Sequence, residues 1–145
     1  MNTPCPFCSL PPETISLQDD TTLVFRDAYP MSPGHTLVIP RVHVANFFDL
    51  PFEVQTKLWD QVRTVRGLLA EKFHPDGFNI GMNFGQVAGA GVLDHYHLHV
   101  VPRWSGDSNF MTVTARTRLV PEELDVTFDK LEPHFKKVRK DFAGS

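Results

Sequence analysis

Three histidines alternate with apolar residues in His95-Tyr96-His97-Leu98-His99-Val100-Val101-Pro102. No other segment restricts the fold as much. Successive side chains of an extended strand point to opposite sides. The spacing therefore predicts a strand over 95–102, with His95, His97 and His99 on one face at intervals of about 6.6 Å. Tyr96, Leu98 and Val100 face the other way, into apolar surroundings. Three ionisable rings are a poor filling for a plain core. On the residues alone, three readings are open. One is a satisfied structural cluster, and another a three-histidine metal centre. The third is a nucleophilic histidine flanked by histidine donors. Imidazole attacks phosphorus at neutral pH, and neighbouring rings can donate to phosphate oxygens.

The remaining periodicities frame that strand. Leu58, Val62, Val65, Leu69 and Phe73 recur at intervals of four, three, four and four, which predicts a helix over Phe52–Phe73. His74-Pro75-Asp76-Gly77 stops it, with His74 supporting the C-terminus. Strands are predicted at 21–26, 35–40 and 78–83, with a turn-rich connector at 27–34. Gly85, Gly89 and Gly91 lie in a glycine-rich loop. Such glycines either let N–H groups converge on an anion or simply make a flexible hairpin connection. In the tail, Leu124, Phe128, Leu131, Phe135, Val138 and Phe142 form a second helical stripe, with Pro133 inside it. A break is expected near Glu132, and His134 is expected on the surface. Both stripes read as core or dimer packing. Strands, a helix, strands and a terminal helix favour an antiparallel α+β domain over alternating βαβ units.

Composition excludes several classes. The 145 residues fit one domain, 1–145, with an N-terminal arm at 1–20 and a helical tail at 121–145. A chain this long buries roughly 68–70% of its unfolded surface, so it can fold without metal or disulfide. Hydrophobic residues at 41% and charged residues at 21% exclude wholesale disorder. A net charge of −3 leaves no global basic field for nucleic acid or anionic lipid. No apolar run reaches a membrane span, and the first residues show no secretory pattern. The expected compartment is the cytoplasm.

In that compartment the Cys5-Pro6-Phe7-Cys8 pair has three readings: a zinc knuckle, a metal-free thiol pair, or a redox pair. A knuckle needs two further ligands, and with only two cysteines in the chain these must be His, Asp or Glu. No βαβ pattern follows, which disfavours a thioredoxin-like motif.

The segment His95–Val101 resembles the motif of the histidine triad (HIT) family, His-φ-His-φ-His-φ-φ with φ apolar. Pro33–Pro40, Gly81–Gly85 and Ala88-Gly89 also resemble HIT segments, in the same order. The resemblance implies an antiparallel sheet with one long central helix and a C-terminal helix. It implies a nucleotide hydrolase or nucleotidyl transferase acting on the α-phosphate of dinucleoside polyphosphates or nucleoside phosphoramidates. By the same resemblance His97 attacks and forms a nucleotidyl-histidine, while His99 contacts phosphate oxygens and helps the leaving group. His35 binds around the scissile phosphate, Asp27 binds ribose hydroxyls, and Asn83 lies near the catalytic rings. Gly89 and Gly91 approach the phosphates. Trp104 stacks on a base, covers the cleft, or packs in the core.

Five residues separate Ala88-Gly89 from His95, and the continuation 102–111 is unlike the simplest members. Both features resemble the branch related to diadenosine tetraphosphate phosphorylases, although Gly91 stands where that branch often has Ser. A phosphate-dependent phosphorylase is therefore the alternative activity. HIT proteins with such a cysteine pair often hold structural zinc, which here implies Cys5, Cys8, His43 and His95 as ligands. The resemblance further implies a homodimer with joined sheets. The rival reading is a zinc-dependent nucleotide-binding or interaction protein that has lost catalysis.

Overall fold

The computed structural model describes residues 4–107 and 124–142. The strongest periodicity forms the longest element, helix α1 (Phe52–Phe73). Its buried residues are Leu58, Val62, Val65 and Leu69, the expected stripe. Phe73, the last member, remains largely in solvent. His74 ends the helix in the left-handed conformation (φ 48°), its N–H bonded to the Ala70 carbonyl. Pro75 follows and cannot continue the helix.

Among the described residues, five strands form one sheet: β1 (Ile15–Gln18), β2 (Thr22–Arg26), β3 (Thr36–Pro40), β4 (Gly77–Met82) and β5 (Leu98–Arg103). Their order is β1-β2-β3-β5-β4, and every pairing is antiparallel. The fold is therefore α+β. One correction concerns the histidine run: the strand starts at Leu98, not His95. β3 ends at Pro40, which has no N–H to offer a longer ladder. The incoming chain instead bonds through the Tyr96 N–H to the Val44 carbonyl, at 2.6 Å.

Alternation sorts the sheet into two faces. Val24, Val38, Tyr96, Leu98 and Val100 pack with the α1 stripe. On the opposite face Leu23, Phe25, Leu37 and Ile39 are covered by Phe7, Leu10 and Ile15 from the N-terminal arm. Gly34 sits where the connector meets these layers. Its φ is +86°, and a Cβ there would lie 2.9 Å from Leu69 Cδ2 and 3.3 Å from Pro102 Cγ. Only glycine brings the chain into β3 this close to α1 and β5.

The β1–β2 turn is built on Asp19. Its Oδ1 accepts from the N–H groups of Thr21 and Thr22, each at 2.7 Å, and its Oδ2 accepts from Gln61 of α1. Partial burial disfavours the charged form, but these donors outweigh it and hold the carboxyl well below the usual carboxylate range. A depressed folded-state value means stability that is present above the ordinary carboxylate pKa and lost as pH falls below it. Asp19→Asn is expected to lower stability by about 1–2 kcal/mol at pH 7, with a smaller loss for the variant than for the parent between pH 4 and 2. Urea unfolding across that range checks it, and parallel curves would refute it.

Helix α2 (Leu124–Phe142) runs through Pro133 without the expected break. Pro133 removes the donor for the Asp129 carbonyl, and both residues are exposed, so water can serve that carbonyl. Leu131 and Phe135 of its stripe are exposed rather than in the core, and His134 is on the surface.

Candidate active site and metal centre

The histidine run enters the sheet with each ring tied at one nitrogen. His95 donates Nε2–H to the Pro40 carbonyl at 2.9 Å. His97 donates Nδ1–H to the carbonyl of His95 at 3.0 Å. A carbonyl can only accept, so both tautomers are settled. His95 keeps its lone pair on Nδ1 and His97 keeps its lone pair on Nε2.

A second chain of bonds ends on the third histidine. The Met31 N–H donates to His35 Nδ1 at 3.1 Å, which puts the proton of neutral His35 on Nε2. That Nε2–H donates to His99 Nδ1 at 2.9 Å. His99 must then carry its proton on Nε2, a buried atom with no partner among the described residues. Asp27 stands beside this chain, its Oδ2 3.4 Å from His35 Nε2 and its Oδ1 accepting from the Tyr29 N–H. The rings of His97 and His99 are 4.9 Å apart. A lone pair on one imidazole and an unsatisfied N–H on the next thus sit side by side.

Burial keeps these rings neutral. It is the largest influence on His99, joined by the neighbouring His97 and His35, and pushes it down to about 3. His97 is also lowered by burial, against the opposing pull of the His95 carbonyl and the Asp27 carboxylate. Burial lowers His35 too, with Asp27 opposing and His97 adding. A neutral imidazole is the nucleophilic form.

Cys5, Cys8, His43 and His95 offer ligand atoms all within 4.8 Å of one another. His95 Nδ1 lies 3.4 Å from Cys5 Sγ and 3.6 Å from Cys8 Sγ, and His43 Nδ1 lies 3.2 Å from Cys8 Sγ. These residues can hold a metal ion. Two sulfurs and two imidazoles suit a tetrahedral zinc, and the Pro40 carbonyl already selects the His95 tautomer whose Nδ1 can ligate. Desolvation, then the Cys5 thiol, raises the Cys8 thiol above its ordinary value, a strain that a cation relieves. Asp27, His35 and His99 form a second such group by distance. The Met31 N–H keeps the His35 proton on Nε2, so that group is a hydrogen-bond chain rather than a ligand set.

Of the other predicted residues, Asn83 follows the end of β4 where Met82 pairs with Leu98, whereas Trp104 follows Arg103, which pairs with Gly77 at the other end of that ladder. Gly81 stands opposite His99 on β4, so no side chain crowds that ring from there. Asn83 follows β4 and is half-buried. Gly89 has φ +94°, and Gly91 is open, with nothing within 4 Å of a Cβ position. The N–H groups of Ala88, Gly89 and Ala90 are bonded inside the loop. Trp104 is half-buried just after β5, its N–H on Asp107. Sequence reasoning missed the Asp27–His35 contact and the place of Phe7. The Phe7 ring packs edge-on to His97 at 5.3 Å.

A five-stranded antiparallel sheet, backed by a long helix and carrying buried histidines where its inner strand β5 begins, defines the histidine triad class. The profile of the HIT domain matches residues 11–106, and the chain belongs to the HIT family. A protein named AP-4-A phosphorylase from Mycobacterium tuberculosis is 36% identical over 96 residues, 66% of this chain and 49% of that protein. The chain thus spans about half the length of that curated relative. A HIT family protein from Bacillus subtilis superposes with a TM-score of 0.74 at 26% identity, covering 95% of this chain and 96% of the other. A Zn-bound histidine triad family protein from Mycobacterium smegmatis gives 0.65 at 34% identity, covering 82% and 84%. Among the described residues, no helix is long and apolar enough to cross a membrane.

Proposed function

We propose that this protein transfers a nucleotidyl group from a dinucleoside polyphosphate or nucleoside phosphoramidate to His97 and then to water. The observation that carries this reading is the pairing of the His97 Nε2 lone pair with the unpartnered Nε2–H of His99. The lone pair attacks the α-phosphorus, and the bond from phosphorus to the leaving oxygen or nitrogen breaks. The Nε2–H of His99 donates a hydrogen bond to the leaving atom, and a polyphosphate departs as its anion, whereas an amine takes its proton from solvent. Water then attacks the phosphorus of the nucleotidyl-histidine and gives its proton to solvent, and the phosphorus–nitrogen bond breaks to return the lone pair to His97 and release the nucleoside monophosphate. His35 fixes the His99 tautomer, and Asp27 steadies His35. Asn83, Gly89, Gly91 and Trp104 line the substrate.

Cys5, Cys8, His43 and His95 hold a structural zinc in this reading. When bound, it ties the N-terminal arm to the start of the histidine run. The donor set and the Zn-bound relative support this. The edge position of β4 supports a homodimer with joined sheets.

The relative named AP-4-A phosphorylase favours the alternative in which inorganic phosphate replaces water. Product analysis separates the two. Diadenosine tetraphosphate is expected to give AMP without added phosphate. ADP formed only when phosphate is present assigns the phosphorylase instead, and neither product refutes both.

A further inference from the structure

Phe7 lies between the two cysteines of the metal-binding group, and the mechanism above leaves it without a role. Its ring is half-buried and edge-on to three others: Phe25 at 5.3 Å, His97 at 5.3 Å and His95 at 5.7 Å. One side of it rests on the apolar face of Leu23, Phe25, Leu37 and Ile39. The His97 ring is oriented by its Nδ1–H bond to the His95 carbonyl. If the ring turns over about Cβ–Cγ, Cδ2 takes the place of Nδ1 and Cε1 that of Nε2, so that bond breaks and a carbon replaces the nucleophilic nitrogen. The rotation about this torsion is broad and two-fold, so its direction is set by what packs against the ring. His99 packs on it at 4.9 Å and Phe7 at 5.3 Å.

We propose that Phe7 is a positioning residue for His97, holding the imidazole so that Nε2 is the atom presented to phosphorus. This rests on the reading of His97 as nucleophile. Cys5 and Cys8 flank Phe7, and His95 belongs to the same metal-binding group. Ligation fixes the loop on both sides of the ring, and the occupancy of the metal site is thereby read out at His97.

Phe7→Leu keeps apolar bulk and removes the ring edge, whereas Phe7→Tyr keeps the ring. Phe78→Leu is the control, a half-buried aromatic paired with Arg66. Each is measured for zinc content, for kcat and KM on diadenosine tetraphosphate, and for the His97 tautomer by long-range ¹H–¹⁵N NMR. Phe7→Leu is expected to bind zinc normally, lose about 5–10-fold in kcat with little change in KM, and show mixed His97 tautomers. Phe7→Tyr and Phe78→Leu are expected to match the parent. Chelation of the parent reproduces the tautomer mixture and adds nothing in Phe7→Leu.

An unchanged kcat or a single Nδ1–H tautomer in Phe7→Leu overturns the proposal. So does loss of zinc in Phe7→Leu, or an equal defect in Phe78→Leu, since either assigns Phe7 to the scaffold. The tautomer measurement needs no substrate. A parent without turnover therefore sinks the nucleotidyl reading and leaves the role of Phe7 to be decided by NMR.

Discussion

His97→Gly is expected to lower kcat/KM on diadenosine tetraphosphate by about 10⁴-fold or more, since the nucleophile itself is removed. The fold has little reason to fail. His97 is buried, but it begins no ladder pair and sits before β5. His99→Gln leaves a polar side chain in place of the buried donor, and about a 10²-fold loss is expected for a single misplaced donor. The two effects will not add, because the lone pair and the N–H act in one step. Denaturing the parent in mid-turnover with α-labelled nucleotide should leave label on the chain, and His97→Gly should leave none. Turnover by His97→Gly within tenfold of the parent would end the covalent route. Adenosine phosphoramidate and ADP are assayed alongside, so that the choice of leaving group does not decide the outcome.

Zinc is expected at one ion per chain in protein purified without chelator, bound by Cys5, Cys8, His43 and His95. Stripping it should lower Tm by about 10 °C, because binding energy at a structural site is folding energy, even where the remaining core folds alone. Cys8→Ser should show the lowered Tm from the start and respond no further to chelator. His43→Ala is the cleaner probe. His43 is exposed, whereas His95 is almost fully buried and its Nε2–H satisfies the Pro40 carbonyl. His95→Ala therefore combines metal loss with an orphaned carbonyl, and the larger destabilisation is expected there. Metal-free protein whose Tm ignores added zinc would refute the site.

The parts of the fold that depend on side-chain burial were legible in the sequence. The stripe Leu58–Leu69 and the stop at His74–Gly77 are both local, and α1 occupies the expected residues. β2, β3 and β4 fall within a residue or so of their predicted spans. What depends on backbone partners was not legible. The alternation of His95 to His99 marks a shared face. A ladder also needs a facing strand with N–H groups, and Pro40 ends that supply. β1 is only four residues long, and the alternation of Ile15-Ser16-Leu17-Gln18 is the shortest that can mark a strand, so it went unread. Pro133 and Asp129, whose carbonyl loses its donor, are both exposed, and composition alone does not reveal that.

The site divides in the same way. Residue types and spacing point to the three histidines and the cysteine pair, and the family resemblance adds His35. The direction of each proton does not follow from spacing. It is set by Met31, Pro40 and the His95 carbonyl, three backbone groups whose identity carries no chemical signal. Phe7 belongs to the same class, being an apolar residue made relevant by a contact 90 positions away in the chain.

The sheet order has a consequence for how this protein comes into being. β5 follows the other four strands of this sheet in sequence, yet it lies between β3 and β4. Until it is inserted, those two strands are separate open edges. Val38 must meet Leu98 across some sixty intervening residues, a closure whose entropy local contacts cannot offset in advance. The histidines arrive with that same strand. Assembly of the sheet and assembly of the chemistry are therefore one event, and a nascent or partly unfolded chain offers no half-built site to a passing nucleotide.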